Sequence, residues 1–360
     1  MSDKTFNRQE PQRGRFGGKW PVVVCLEMAC LALVLFGCAT FPSRLQRFSF
    51  SRPEMGTVFT ITLCARDPAA AKAAAEAAFQ RVSRLNDVMS DENADSEVTR
   101  LCDQPYAQPV RVSQDLFDAL QLSLRMSQLS EGEFDVTVGP YVQMWRMAQK
   151  EKVLPTPAQI TAARPSVGWQ KVRLDPKNRT VTLLAPNMKL DLGGICRGIA
   201  ADQAMLVLHH RGIYSAMVTA NGETAVGSPP PAERGWTVGI SVMDGPANSG
   251  GRQVVLHNAG ISTDGDSEQF VEIGGVRYSS IVDPATGLGL TNRIEGTVIG
   301  PNAAMTASLE TAVKLLGVKR GLALVDSLSH SAAIISTEEN GKVQTYPSRR
   351  FKHVTQLPAP

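Results

Sequence analysis

Cysteine, aromatic residues and surplus charge are all in short supply in this chain, and each shortage removes a class of protein. There are six cysteines in 360 residues. Cys25, Cys30 and Cys38 crowd near the N-terminus, while Cys64, Cys102 and Cys196 are scattered, so the chain has neither a disulfide framework nor a metal-binding CxxC pair. The scattered three read as small buried residues. The five histidines are also dispersed, His209-His210 apart, and give no zinc-site spacing. A net charge of +3 with no Lys/Arg-rich run, and only 6% aromatics, leaves no case for a nucleic-acid partner. What remains, 43% hydrophobic and 20% charged, is the composition of a globular body of one large or two moderate domains.

The first forty residues differ in kind. Arg13, Arg15 and Lys19 precede an apolar run from Pro21 to Phe36, interrupted by Glu27 and too short for a comfortable membrane span. A basic segment before such a run suits a secretory signal. The run ends Leu35-Phe36-Gly37-Cys38, which resembles a bacterial lipobox whose cysteine becomes lipidated. An uncleaved N-terminal anchor is the other reading. Both place the body outside the cytoplasm, held at a membrane and facing the periplasm. The expected organisation is a signal or anchor over 1–38, a tether over 39–52, one domain over 53–347 and a frayed tail over 348–360.

Along the body, the alternation of residues 56–63 predicts a half-buried strand. Asp67-Pro68 predicts the start of an alanine-rich helix to about Leu85. Ser113 caps a second helix to Leu129, with Leu116, Leu120 and Leu124 on one face. Residues 172–174 and 180–184 read as a hairpin around Asp-Pro-Lys-Asn. Further strands are expected at 214–219, 236–242, 254–257, 261–270, 276–287, 294–299, 332–336 and 343–346. Helices are expected at 303–316 and 321–327. Strands and helices mix without strict alternation, so the class is α+β.

Leu190-Asp191-Leu192-Gly193-Gly194-Ile195-Cys196-Arg197-Gly198 reads as a strand end, a glycine pair and the first turn of a helix reaching His210. Glycines there admit a ligand close to the backbone, and the helix start aims unpaired N–H groups at it, typically at phosphate. Asp191 adds an acceptor and Arg197 a strong donor. A turn packed for its own sake fits the same residues.

Taken in order, six segments resemble the ApbE-type flavin transferases (FAD:protein FMN transferases), commonly bacterial lipoproteins. They are Met55-Gly56-Thr57, the 95–101 turn, Phe134-Asp135-Val136-Thr137-Val138-Gly139-Pro140, Leu190–Asp202, Asp283-Pro284-Ala285-Thr286-Gly287 and Leu309-Glu310-Thr311-Ala312. The similarity spans Met55 to Tyr346. It implies a mixed-sheet, T-fold-like single domain that binds FAD, uses Mg2+, and moves FMN to a threonine hydroxyl of a target flavoprotein with release of AMP. The N-terminal lipid would anchor it to the membrane.

The resemblance also implies site roles. Met55 would touch the flavin region, Phe134 and Asp135 would lie along the FAD, and Asp191 would hydrogen-bond the nucleotide. Ser280 and Ile281 carry over as further FAD contacts. The Gly194 carbonyl and the Thr311 side chain would ligate magnesium, and Thr311 and Arg197 are the candidate catalytic residues. Arg197 stands where the family has a lysine; it keeps the charge and adds a bidentate fork.

Three departures are visible. Ala307 replaces the family's metal-binding aspartate, one helical turn before Thr311, so Glu310 is the nearest carboxylate. Ser280 replaces a histidine. Glu92 replaces an aromatic that stacks on the isoalloxazine ring. The losses leave three readings open: the transferase, an FAD-binding paralogue without catalysis, and a metal-dependent FAD pyrophosphatase. Asp283–Gly287 equally fits plain turn chemistry, and Asp135 a buried structural carboxylate.

Overall fold

The computed structural model describes residues 45–240, 243, 252–264 and 270–357 of the 360. The expected signal and lipid-anchor segment lies outside the described residues.

The body starts with a hairpin of β1 (Gln46–Glu54) and β2 (Thr57–Ala65), Glu54 lying opposite Thr57. Met55 and Gly56 between them have φ of 50° and 72°, the left-handed pair that a two-residue hairpin turn needs. This corrects the tether, which the sequence extends to residue 52. In β1 only Phe48 and Phe50 are apolar among the half-buried positions, Arg52 and Glu54 being the others, so its alternation is faint.

α1 (Pro68–Met89) starts where expected: Asp67 Oδ1 accepts from Ala70 N at 2.8 Å, and Ala71, Ala75, Ala78, Phe79, Val82 and Leu85 form its buried seam. Ser96 caps α2 (Glu97–Cys102). β3 (Val110–Arg111) precedes α3 (Gln114–Leu129), capped by Ser113. α4 (Gly139–Glu151) and α5 (Pro157–Ala163) follow, then the expected hairpin of β4 (Val172–Asp175) and β5 (Thr180–Leu183), with β3 on the other side of β5. α6 (Gly193–His210) begins at the glycine pair. The residues before it are not a strand end, which corrects the sequence reading. Asp191 N–H donates to the Val136 carbonyl at 2.8 Å instead of joining a ladder.

The remaining strands are β6 (Ala216–Ala220), β7 (Glu223–Val226), β8 (Trp236–Gly239), β9 (Gln253–Leu256), β10 (Ala259–Asp264), β11 (Phe270–Ile273), β12 (Val276–Ser279) and β13 (Arg293–Gly300). After them come α7 (Ala303–Ser327), β14 (Ala332–Glu339), β15 (Lys342–Pro347) and β16 (Gln356–Leu357). Gly317 in α7 has φ 72° and breaks it into the two expected helical pieces.

The main sheet runs β1-β2-β6-β7-β10-β13-β14-β15. The α+β class holds, but all pairings in this sheet are antiparallel where a mixed sheet is expected. Leu63 at the end of β2 faces Ala216 at the start of β6. The long segment between them therefore leaves and re-enters at the same end of the sheet, and neighbours joined that way must run opposite ways.

α1, α6 and α7 share one core with Phe59, Ile61, Leu63, Val218 and Val298. A second apolar cluster joins Ile261, Ile299 and Ile334 to Trp236, Val254 and Phe351. Phe351 is buried, Ala333 N donates to Ser348 Oγ at 2.8 Å and β16 pairs with β9, so residues 348–357 are ordered where a frayed tail is expected.

Candidate functional site

The turn after β1, the start of α6, the middle of α7, the segment before α4 and the loop after β12 converge on one cleft of about 430 Å³. All the sequence-predicted site residues line it: Met55, Phe134, Asp135, Asp191, Gly194, Arg197, Ser280, Ile281 and Thr311. Residues 134, 194 and 311 lie far apart in sequence; the crossing of α6 and α7 brings Gly194 to Thr311, and Phe134 joins them from the segment before α4. A Cβ placed on Gly194 would lie 3.1 Å from Phe134 Cε2 and 3.3 Å from Thr311 Oγ1.

That crossing is itself locked. Asp202 on α6 accepts from Ala303 N at 2.9 Å and Ala304 N at 2.8 Å, the first two amides of α7. Gly198 lets the chains close: a Cβ there would meet the Ala303 carbonyl O at 2.4 Å. Burial pushes the Asp202 carboxyl up to about 6.

At the head of α6, Asp191 Oδ1 accepts from Gly193 N at 2.7 Å, using one of the unpaired helix-start donors. Burial first, and then the neighbouring Asp91, push its carboxyl up. Cys196 lines the cleft, but burial raises its thiol to about 12, so it is no nucleophile at neutral pH. Arg197 Nε and Nη2 donate to Glu223 Oε2 and Oε1 at 3.1 and 3.0 Å. Its expected role toward a nucleotide is thus combined with a bidentate pair to β7, a partner the sequence did not indicate.

Asp135 answers to its structural reading. Oδ1 accepts from Thr137 N and Oγ1 at 2.8 and 2.7 Å, and Oδ2 from Trp169 N at 2.8 Å. Asp283–Gly287 is likewise a closed turn, with Asp283 accepting from Ala285 N and Thr286 Oγ1 at 2.7 and 3.0 Å.

The magnesium donor set is incomplete. Thr311 Oγ1 donates to the Ala307 carbonyl at 3.3 Å, and Ala307 is buried with no ligand to offer. Glu310 lines the cleft, yet its Oε1 lies 2.9 Å from Lys314 Nζ in a pair almost wholly shielded from water. Among the described residues no three His, Cys, Asp or Glu side chains group to hold a metal. Mg2+ prefers hard, charged oxygens in octahedral order. Two neutral oxygens and a lysine-bound carboxylate do not fit the site that the resemblance implies.

Sequence reasoning missed Arg146, Asp91 and Glu223, which also line the cleft. None belongs to a motif, and only the chain's path puts them there.

The ApbE family model matches residues 55–335. This chain belongs to the ApbE family. A Vibrio cholerae relative named FAD:protein FMN transferase is 28% identical over 324 residues, covering 89% of this chain and 95% of the relative. One of the same name from Salmonella typhimurium is 28% identical over 341 residues, covering 91% and 95%. Among solved structures, the flavin transferase ApbE from Vibrio cholerae superposes with TM-score 0.76 at 26% identity, over 86% of this chain and 99% of that one. The apo flavinyl transferase ApbE from Pseudomonas stutzeri gives 0.77 at 25%, over 86% and 97%. Of the three positions where the resemblance implies other residues, Glu92 and Ser280 line the cleft and Ala307 lies one turn before Thr311 on α7.

Proposed function

We propose that this chain is an FAD:protein FMN transferase. The observation that carries the proposal is the meeting of all nine expected site residues in one cleft, inside a family whose relatives bear that name. The substrate's diphosphate lies at the head of α6, where the helix start and Arg197 favour negative charge. The threonine hydroxyl of the acceptor attacks the FMN-side phosphorus, a new P–O bond forms, and the bond to AMP breaks. The hydroxyl proton leaves to solvent or a nearby carboxylate. In such transfers positioning and charge stabilisation do most of the work. Here the positioning belongs to the α6–α7 lock and the fixed charge to Arg197. Mg2+ enters no step, because the donor set does not fit it.

The chain acts on the extracytoplasmic side, tethered through Cys38. The basic residues before the apolar run and the Leu-Phe-Gly-Cys ending support that location.

A second reading has its own observation. The Lys314-held Glu310 beside Ala307 favours an FAD-binding protein that no longer transfers. The full-length chain incubated with FAD and an acceptor flavoprotein, with and without Mg2+, separates the two. Covalent flavin with stoichiometric AMP supports the transferase. AMP alone marks a pyrophosphatase. FAD binding with neither product establishes the binding protein.

A further inference from the structure

Besides Arg197, the cleft holds a second arginine that no family motif includes. Arg146 follows Trp145 on α4, and Trp145 is fixed: its Nε1 donates to the Gly287 carbonyl at 3.1 Å and its ring centroid lies 5.3 Å from that of Tyr278. The turn bearing Arg146 is therefore pinned to the small core of Tyr141, Ile160 and Val282, while Arg146 itself faces the cleft. Nη1 donates to Asp91 Oδ2 at 2.7 Å, and Nη2 lies 3.3 Å from Glu92 Oε1. The Arg146 side chain stays 37% exposed, so a ligand can reach it.

This trio is ill suited to phosphate. Both terminal nitrogens already face carboxylates, and the unit of one guanidinium and two carboxylates carries net negative charge, which repels a diphosphate. What a guanidinium bound at its edge still offers is its flat face. Hydrogen bonds lie in the guanidinium plane, so a ring stacked above it disturbs neither carboxylate contact. The two carboxylates also hold the plane in one orientation, which lowers the entropy lost when a ring lands on it.

We propose that Arg146, clamped by Asp91 and Glu92, is the stacking platform for the isoalloxazine ring of the flavin substrate. The proposal rests on the FAD reading of the same cleft and deepens it. Glu92 occupies the position where the resemblance implies an aromatic platform, and here that residue instead orients one. The diphosphate end belongs to Arg197 and the head of α6, which leaves Arg146 to the ring. A guanidinium plane laid on a broad, flat ring replaces aromatic stacking by a plane-on-plane dispersion contact.

The test is titration calorimetry of the full-length chain with FAD, FMN and ADP. Arg146→Ala should weaken FAD and FMN binding about tenfold and leave ADP binding unchanged. Arg146→Lys keeps the charge without the plane and should lose about as much. Adding Glu92→Tyr to Arg146→Ala should restore most of the FAD affinity by supplying an aromatic platform. Melting temperatures close to that of the parent chain are expected throughout, because a half-exposed ion pair adds little stability. The proposal is overturned if Arg146→Ala binds FAD like the parent, if ADP affinity falls in step with FAD, or if lysine substitutes fully. A parent chain that binds neither FAD nor ADP removes the FAD reading itself, and this proposal with it. That result is distinct, because it appears before any substitution is made.

Discussion

Gly194 and Thr311 face each other where α6 meets α7, with room for a hydrogen but not comfortably for a methyl: a Cβ on Gly194 would lie 3.3 Å from Thr311 Oγ1. The two residues are 117 positions apart and come from different motifs. Their approach depends on the Asp202 clamp and the Gly198 contact further along the same crossing.

Gly198→Ala tests the crossing. Its methyl would meet backbone, the Ala303 carbonyl at 2.4 Å, so the helices must part. A loss of about 2–3 kcal/mol in urea-melt stability is expected, with weaker FAD binding because Gly194 and Thr311 separate. Unchanged FAD affinity in a destabilised variant would show that the cleft does not depend on this contact.

Arg197 and Glu223 test the buried pair. Glu223 is nearly inaccessible, so Arg197→Ala strips a buried carboxylate of its bidentate partner. A cost of about 3 kcal/mol in chemical denaturation is expected. Arg197→Lys, the residue that the resemblance implies there, should recover most of that stability. If alanine and lysine prove equally destabilising, the fork geometry matters more than the charge.

The pH dependence follows from Asp202. Its carboxyl is raised from the ordinary 3.8 to about 6, so the folded chain holds this proton more tightly than the unfolded chain. The resulting stabilisation is complete below the lower value and is lost as pH rises through the upper one. Asp202→Asn does not titrate. The difference in unfolding free energy between variant and parent should therefore change across roughly pH 4 to 6 and stay level above about pH 7. Denaturant melts over that range check it, and a flat difference would refute it.

Restoring one carboxylate tests the metal misfit. Ala307→Asp should give the full-length chain measurable Mg2+ affinity in calorimetry with the metal alone, at least about tenfold tighter than the parent. No gain would mean that the Lys314–Glu310 pair has reshaped the site beyond a single substitution.

Much of the fold was legible because local chemistry announced it. Asp67 and Ser113 cap helices where expected, and the alternation in β2 marks a half-buried strand. β1 and β16 were not legible. One hides its alternation under Arg52 and Glu54, and the other is two residues held by pairing with β9. The nine expected site residues could be named because their motifs are continuous in sequence. Arg146 could not, since nothing in its neighbourhood marks an arginine as facing a cleft.

By itself, then, the sequence determined most of the elements and the family, and it carried the three residues that the resemblance marks as departures, since each depends on residue type at short spacing. Only the tertiary structure decided what those departures mean. It tied Glu310 to Lys314, joined Arg197 to Glu223 and set Arg146 beside Glu92. These are contacts between side chains on one α7 turn, between α6 and β7, and between α4 and the loop after α1. Which partner a charge chooses is settled by burial and distance after the helices have packed, and spacing along the chain does not encode it.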